Sequence, residues 1–255
     1  MVLHTSLQNM VVKYIYFLVT KRSLSMQKKC IEDDYGVGVC EYTSGDVRTS
    51  RSVEEGVLRC IDVFKRINIL INCAAGNFIC DILNLSVKGF KTVLEIDTVG
   101  TFIASKHVYT HALQHTGGGV IINISMTLHY TGTHSQIHAG AAKAAIDAMT
   151  KHMAVEFGHT HVNVNSIAPG PILNTQGIHK LTLTNNQEGP NELLDALKES
   201  IPLKRLGTVD DLANTALFLS TKEANYITGS IIVVDGGHWL NGTSSFLNPL
   251  KKSSL

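Results

Sequence analysis

Two kinds of apolar spacing alternate along the chain. Short continuous apolar runs, bounded by Gly, Asn or Pro, lie at 14–20, 37–42, 67–72, 120–125, 162–167 and 231–235, and runs of this kind predict buried strands. Helical spacing fills the intervals. A first helix is predicted over 25–34, ending at Gly36. A second covers 49–66, with Val53, Val57, Ile61 and Phe64 on one face and Ser52 as its expected cap. A third spans 86–115, carries Phe90, Val93, Leu94, Phe102, Ile103 and Val108, and ends in glycines. The stretch from His138 to Gly158 places Ala142, Ala145, Ile146, Met149, Met153 and Val155 at helical spacing, which predicts a small-residue helix packed closely on its neighbours. Thr208-Val-Asp-Asp211 opens a last helix that reaches Leu219. The region 173–202 shows no periodicity before 192–200 and is read as a loop or as a flap over a substrate.

Strands alternating with helices predict an α/β fold, a doubly wound parallel sheet covered on both faces, with its ligand past the carboxyl ends of the strands. The 255 residues, 44% of them hydrophobic, suffice for one core. We therefore expect a single domain over 1–255, with an atypical amino end at 1–21 and a carboxyl tail at 240–255. A net charge of +1 and the absence of a basic block interleaved with aromatics argue against a nucleic-acid partner. The five cysteines have neither CxxC pairing nor spacing to His, so reduced thiols in an intracellular compartment are expected and no metal site is. The apolar run at 14–19 falls short of the ~20 residues that span a bilayer, and Lys13 interrupts it as a secretory signal, so no membrane association is expected. The terminal Ser253-Ser254-Leu255 is a degenerate match to a peroxisomal address, with the cytoplasm as the alternative.

Each strand ends in a turn with its own chemistry. Small residues in Ala74-Ala75-Gly76 let the backbone approach a flat ligand. Pro169-Gly170-Pro171 sets a rigid turn that can offer backbone groups to the edge of an aromatic ring. Lys21 and Arg22 could pair with a ribose 2′-phosphate, or form a solvated surface pair.

From about Arg22 to Trp239 the chain resembles the short-chain dehydrogenase/reductases. The resemblance rests on NCAAG at Asn72–Gly76, the pair Asp46-Val47, Lys143, PGPI at Pro169–Ile172, and YITGSIIVVDGG from Tyr226 to Gly237. It implies a Rossmann-like sheet and cofactor contacts from Arg22, Ser23, Asp46, Val47, Asn72, Ala74, Ala75, Gly76, Lys143, Pro169, Gly170 and Ile172. The family's catalytic Tyr and Ser are replaced here by Ala139 and Met126, so alcohol oxidation, which needs the phenol as acid or base, is not expected. Ser125, Tyr130 and His138 stand close in sequence but out of register. His138 is read as facing solvent or a neighbouring subunit, with a replacement acid as the alternative.

The departures match one branch, the peroxisomal 2,4-dienoyl-CoA reductases, which the chain resembles over NCAAGNF, FKTVLEIDTVGTF and HAGAAKAAIDAMTKHMAVEFG. The resemblance implies hydride transfer from NADPH to a conjugated acyl-CoA thioester. Lys143 would supply positive charge, Asp97 would orient it and relay a proton, and Asn77 and Phe78 would line the acyl pocket. It also implies a homo-oligomer, a tetramer by analogy, with the 86–115 and 138–157 helices at interfaces. The family's Gly-rich turn is not found, because no glycine precedes Arg22 and Gly36–Gly38 comes before a strand. One amino-terminal strand–helix unit is therefore expected to be lacking from the middle of the sheet, with 14–20 standing as the second strand or, alternatively, as a glycine-less first. Two further readings stay open: a truncated, non-catalytic member acting through assembly, and a reductase of other enoyl or keto thioesters.

Overall fold

The computed structural model describes residues 14–18, 21–175 and 190–241, with side chains for 28–175 and 194–241. In chain order it forms β1 (Tyr14–Leu18), α1 (Lys21–Tyr35), β2 (Cys40–Ser44), α2 (Ser50–Phe64), β3 (Ile69–Asn72), α3 (Val87–Leu94), a π-helical segment (Glu95–Val99), α4 (Gly100–His111) and β4 (Gly119–Ile124). There follow α5 (Leu128–Thr131), α6 (Ile137–Phe157), β5 (Val162–Pro169), α7 (Pro190–Ser200), α8 (Val209–Leu219) and β6 (Ile231–Val234). Each predicted strand is present within a few residues of its expected place. The one long helix expected over 86–115 is α3, the π segment and α4 run end to end.

All pairings are parallel, but the described sheet is in two parts: β1 with β2, and β3-β4-β5-β6 in that order. Among the described residues no strand pairs with both parts. Two apolar clusters cover the faces of the larger part. Val53, Val57, Ile103, Val108, Ile121, Met153 and Val164 join α2, α4 and α6 to one face. Ile122, Ile124, Ile167, Leu212, Ala216 and Leu219 hold α8 on the other. Helix α2 follows β2 yet packs on α4, so it ties the two-stranded part to the four-stranded part. Val47 adds to this tie, because a Cβ on Gly100 would lie only 2.9 Å from Val47 Cγ2.

The small-residue helix packs as expected, with Ala139, Ala142, Ile146 and Ala154 buried. Two side chains assigned to apolar faces point elsewhere: Phe102 is 51% and Val155 83% exposed. The cap of α2 is Thr49, not Ser52, which lies inside the helix. Lys21-Arg22-Ser23 begins α1 instead of forming a turn. Helix α8 starts as predicted at Thr208, whose hydroxyl accepts from Asp211 N–H while the Asp211 carboxylate accepts from Thr208 N–H, a reciprocal capping box. Part of the region read as loop or flap, 176–189, lies outside the described residues.

Strand register is marked by polar groups inside the sheet. Asn72 and Asn123 sit opposite each other on β3 and β4. Asn72 Nδ2 donates to Asn123 Oδ1 at 2.8 Å and to Ser105 Oγ at 2.9 Å, and Asn123 Nδ2 donates to Thr150 Oγ1 at 2.9 Å.

Candidate active site

The site is built where β3 and β4 end. Asp97 lies in the π segment and is completely buried. Its Oδ1 accepts the Gly76 N–H at 2.6 Å, which ties the turn after β3 to this helix. Its Oδ2 stands 3.2 Å from Lys143 Nζ. Lys143, 6% exposed on α6, also donates to the Ile124 carbonyl at the end of β4, at 2.9 Å. Burial raises the Asp97 carboxyl above its ordinary range, against the opposing pull of Lys143, the Gly76 N–H and nearby His138. The sequence-predicted pair Asp97 and Lys143 is thus brought together, with Gly76 as its third member.

His138 contradicts the expectation that it faces solvent or a neighbour. It is fully buried, its Nε2 lies 3.0 Å from the Phe78 carbonyl, and its ring stacks on the Phe78 ring at 4.2 Å. Its Nδ1 has no hydrogen-bond partner. The sequence signal for this was position alone: His138 precedes Ala139, the site of the family tyrosine, so the helix that brings Lys143 inward also buries its neighbour at the start of the same helix. Phe78 remains partly open at 37% exposure, and Asn77 is half-buried beside it.

The other polar candidates lead away from Lys143 Nζ. The Ser125 hydroxyl reaches the Lys143 main-chain carbonyl at 3.4 Å. Tyr130 OH lies 3.4 Å from Asp147 Oδ2, and burial together with Asp147 pushes its phenol up to about 12. His129 Nε2 pairs with the same Asp147 oxygen at 2.9 Å.

The expected cofactor residues separate into several surroundings. Ala74 and Ala75 are exposed at the end of β3. The Asn72 side chain is taken up by Asn123 and Ser105. Asp46 is paired with Arg48, whose guanidinium holds its carboxyl below the usual carboxylate range. Gly170 packs so closely that a Cβ would lie 2.6 Å from Asp235 Cβ, and the turn through Pro169 and Ile172 is pinned by Leu173 N–H to Gly207 O and Gly207 N–H to Pro171 O. The Arg22 and Ser23 side chains lie outside the described residues. Two clefts flank the 127–133 loop, one including His238 and Trp239 and the other Met126, Gln136 and Gly140. Lys143 and Asp97 line neither.

No metal site was expected, yet Glu54, His107 and His111 converge on the outer side of α2 and α4. All five cysteines are free. Among the described residues no helix is long and apolar enough to cross a membrane.

Residues 15–238 match the family model described as enoyl-(acyl carrier protein) reductase. The chain is 46% identical over 201 residues to a peroxisomal 2,4-dienoyl-CoA reductase, (3E)-enoyl-CoA-producing, of Pongo abelii; this covers 79% of the chain and 66% of that relative. The chain thus spans slightly under two thirds of that relative's length. It is 36% identical over 230 residues to a probable 2,4-dienoyl-CoA reductase, (2E)-enoyl-CoA-producing, of Bacillus subtilis, covering 89% of the chain and 87% of the relative. Among solved structures, a short chain dehydrogenase from Bacillus anthracis superposes with a TM-score of 0.75 at 35% identity, covering 88% of this chain and 85% of that one. With the parallel sheet, the buried lysine of α6 and the turns after β3 and β5 in place, these matches settle the kinship: the chain belongs to the short-chain dehydrogenase/reductase family.

Proposed function

We propose that the chain is an NADPH-dependent reductase of 2,4-dienoyl-CoA thioesters, acting in the oxidation of unsaturated fatty acids. The observation that carries this reading is the buried Lys143–Asp97 pair beside Gly76, in a site with Ala139 and Met126 where an alcohol dehydrogenase of this family would carry Tyr and Ser. The activities of the Pongo abelii and Bacillus subtilis relatives, as their names give them, support it.

The residues fit the nicotinamide end of such a cofactor. Exposed Ala74 and Ala75 allow close approach, and Lys143 Nζ donates to the Ile124 carbonyl at 2.9 Å and stands 3.2 Å from Asp97 Oδ2 as an ion pair. An ammonium has three donors, of which one is assigned to the cofactor. Lys143, Asn72, Ala74, Ala75, Gly76 and the turn Pro169, Gly170 and Ile172 would hold the nicotinamide half, with Asp46 and Val47 toward the adenine and Arg22 and Ser23 toward a 2′-phosphate. The bound cofactor supplies the hydride.

Reduction of the diene builds negative charge on the thioester oxygen. Lys143 is held in a dry site, where its positive charge stabilises such an oxygen more than it would in water. Asp97 keeps the ammonium in place, and its raised proton affinity suits it to relay the proton that ends on carbon. Phe78, 37% exposed, and the half-buried Asn77 would contact the acyl chain. The product named for the Pongo abelii relative, a (3E)-enoyl-CoA, is the expected product here.

Replacing Lys143 by Ala in the purified chain should abolish NADPH oxidation with dienoyl-CoA and leave the circular dichroism spectrum unchanged. An undiminished rate would remove Lys143 from the mechanism. The two-part sheet among the described residues favours one other reading, a non-catalytic member that acts through assembly. NADPH titration separates the two: micromolar binding supports the enzyme, and none at millimolar cofactor supports assembly. Turnover of keto or other enoyl thioesters in preference to the diene would reassign the substrate. Peroxisomal residence, a homotetramer and an acyl-CoA partner complete the proposal. The Ser253-Ser254-Leu255 terminus that bears on residence lies outside the described residues.

A further inference from the structure

We propose that Glu54, His107 and His111 form a divalent transition-metal site, best suited to zinc, that clips α2 to α4. The three residues come from two facing helices. His107 and His111 are four residues apart on α4, which puts both imidazoles on one face, and Glu54 meets them from α2. One donor atom from each lies within 4.8 Å of the other two.

The donor distances suit a common ion. Glu54 Oε1 is 3.0 Å from His111 Nε2 and 4.0 Å from His107 Nδ1. Ligands on a tetrahedral zinc, at metal distances of about 2.1 Å, stand roughly 3.4 Å apart, between those two values. Small side-chain adjustments therefore bring one carboxylate oxygen and two imidazole nitrogens onto a single ion. The imidazoles already lie nearly parallel, 9° between planes with centroids 5.7 Å apart.

The surroundings distinguish this cluster from a simple His–Glu pair. A pair needs one imidazole, but here the second turns its Nδ1 toward the same carboxylate while its Nε2 lies 2.8 Å from Ser50 Oγ. With a metal on Nδ1, His107 Nε2–H donates to Ser50 Oγ, the outer contact that typically fixes the tautomer of a ligating histidine. Ser50 and Glu54 are themselves four apart on α2, facing the two histidines on α4. The partly exposed Glu54, 41% open, leaves room for water as a fourth ligand. Two imidazoles and one carboxylate favour zinc over magnesium or calcium, which prefer all-oxygen sites.

The place of the cluster gives it a structural role. Helix α2 ties the two-stranded part of the sheet to the four-stranded part through α4, so a metal here fastens two parts that no strand pairing joins among the described residues.

The test is calorimetric titration of the metal-free chain with zinc chloride, with magnesium chloride as comparison, followed by thermal unfolding. One equivalent of zinc should bind with a dissociation constant on the order of micromolar or tighter, the melting temperature should rise with zinc, and magnesium should do neither. Glu54→Gln, which keeps side-chain size, and the double change His107→Ala with His111→Ala should each remove that equivalent. Ser50→Ala retains all three ligands and should weaken it by about tenfold or more. The exposed His152→Ala should leave it unchanged. Failure of zinc to saturate one equivalent, or its retention in the double variant, overturns the proposal. Should the double variant not fold, the Ser50→Ala and Glu54→Gln titrations decide.

Discussion

At the residue scale, the site turns on a carboxyl group held where water does not reach. Burial raises the Asp97 pKa above its ordinary value of 3.8, so the folded chain keeps this proton to higher pH than the unfolded chain does. The contribution of this group to stability is therefore fullest below the ordinary value and is lost as pH rises through the raised one. Asp97→Asn should flatten the fall in melting temperature over that window and abolish reduction, and a melting series against pH checks the first directly. An unaltered slope would mean that the carboxyl titrates as it does in the unfolded chain. Asp97 and Lys143 were legible in the sequence because both stand in long matched stretches. His138 was misjudged, since a helix start is usually open to solvent and nothing in the local pattern shows that the Phe78 ring and carbonyl cover this one. The Glu54, His107 and His111 cluster was also missed. Spacing four apart marks a shared helix face, but the ligand from another helix appears only when α2 lies against α4.

At the element scale, strands were more legible than helix ends. Continuous apolar runs have few alternatives once their length is short, whereas the first turn of a helix depends on which hydroxyl or carboxylate reaches a backbone N–H. Ser52 was compatible with a cap by residue type, but the helix starts one turn earlier and its cap Thr49 makes no side-chain cap bond. Thr208 succeeds because its reciprocal partner Asp211 is three residues on. Thr208→Ala should cost about 1 kcal/mol, a fall of roughly 2–4 °C in melting temperature for a chain of this size, with no change in cofactor binding. The π segment was not legible, because nothing in the residue types of Glu95–Val99 marks where an extra residue enters a turn. Its effect is felt in Asp97, whose carboxylate meets both Gly76 and Lys143 from that segment.

At the scale of the whole molecule, the described sheet consists of two parts joined by helices. Among the described residues strand pairing, which normally spreads cooperativity across such a sheet, stops between the β1-β2 pair and β3. Hydrogen exchange should therefore show the amides of β1, α1 and β2 opening with lower free energy than those of β4 and β5, and zinc should narrow the difference. Equal protection in both parts would show that the α2–α4 packing alone makes one cooperative unit. The interior pair Asn72–Asn123 bears on how the larger part reaches a single arrangement. Apolar parallel strands can slide past one another by two residues and still bury their side chains, so β3 and β4, as Ile-Leu-Ile-Asn beside Val-Ile-Ile-Asn, could pair in more than one way. Any slide breaks the bond from Asn72 to Asn123, a buried contact worth about 0.5–1.5 kcal/mol. The paired asparagines thus act as an error check on assembly that penalises each offset alignment.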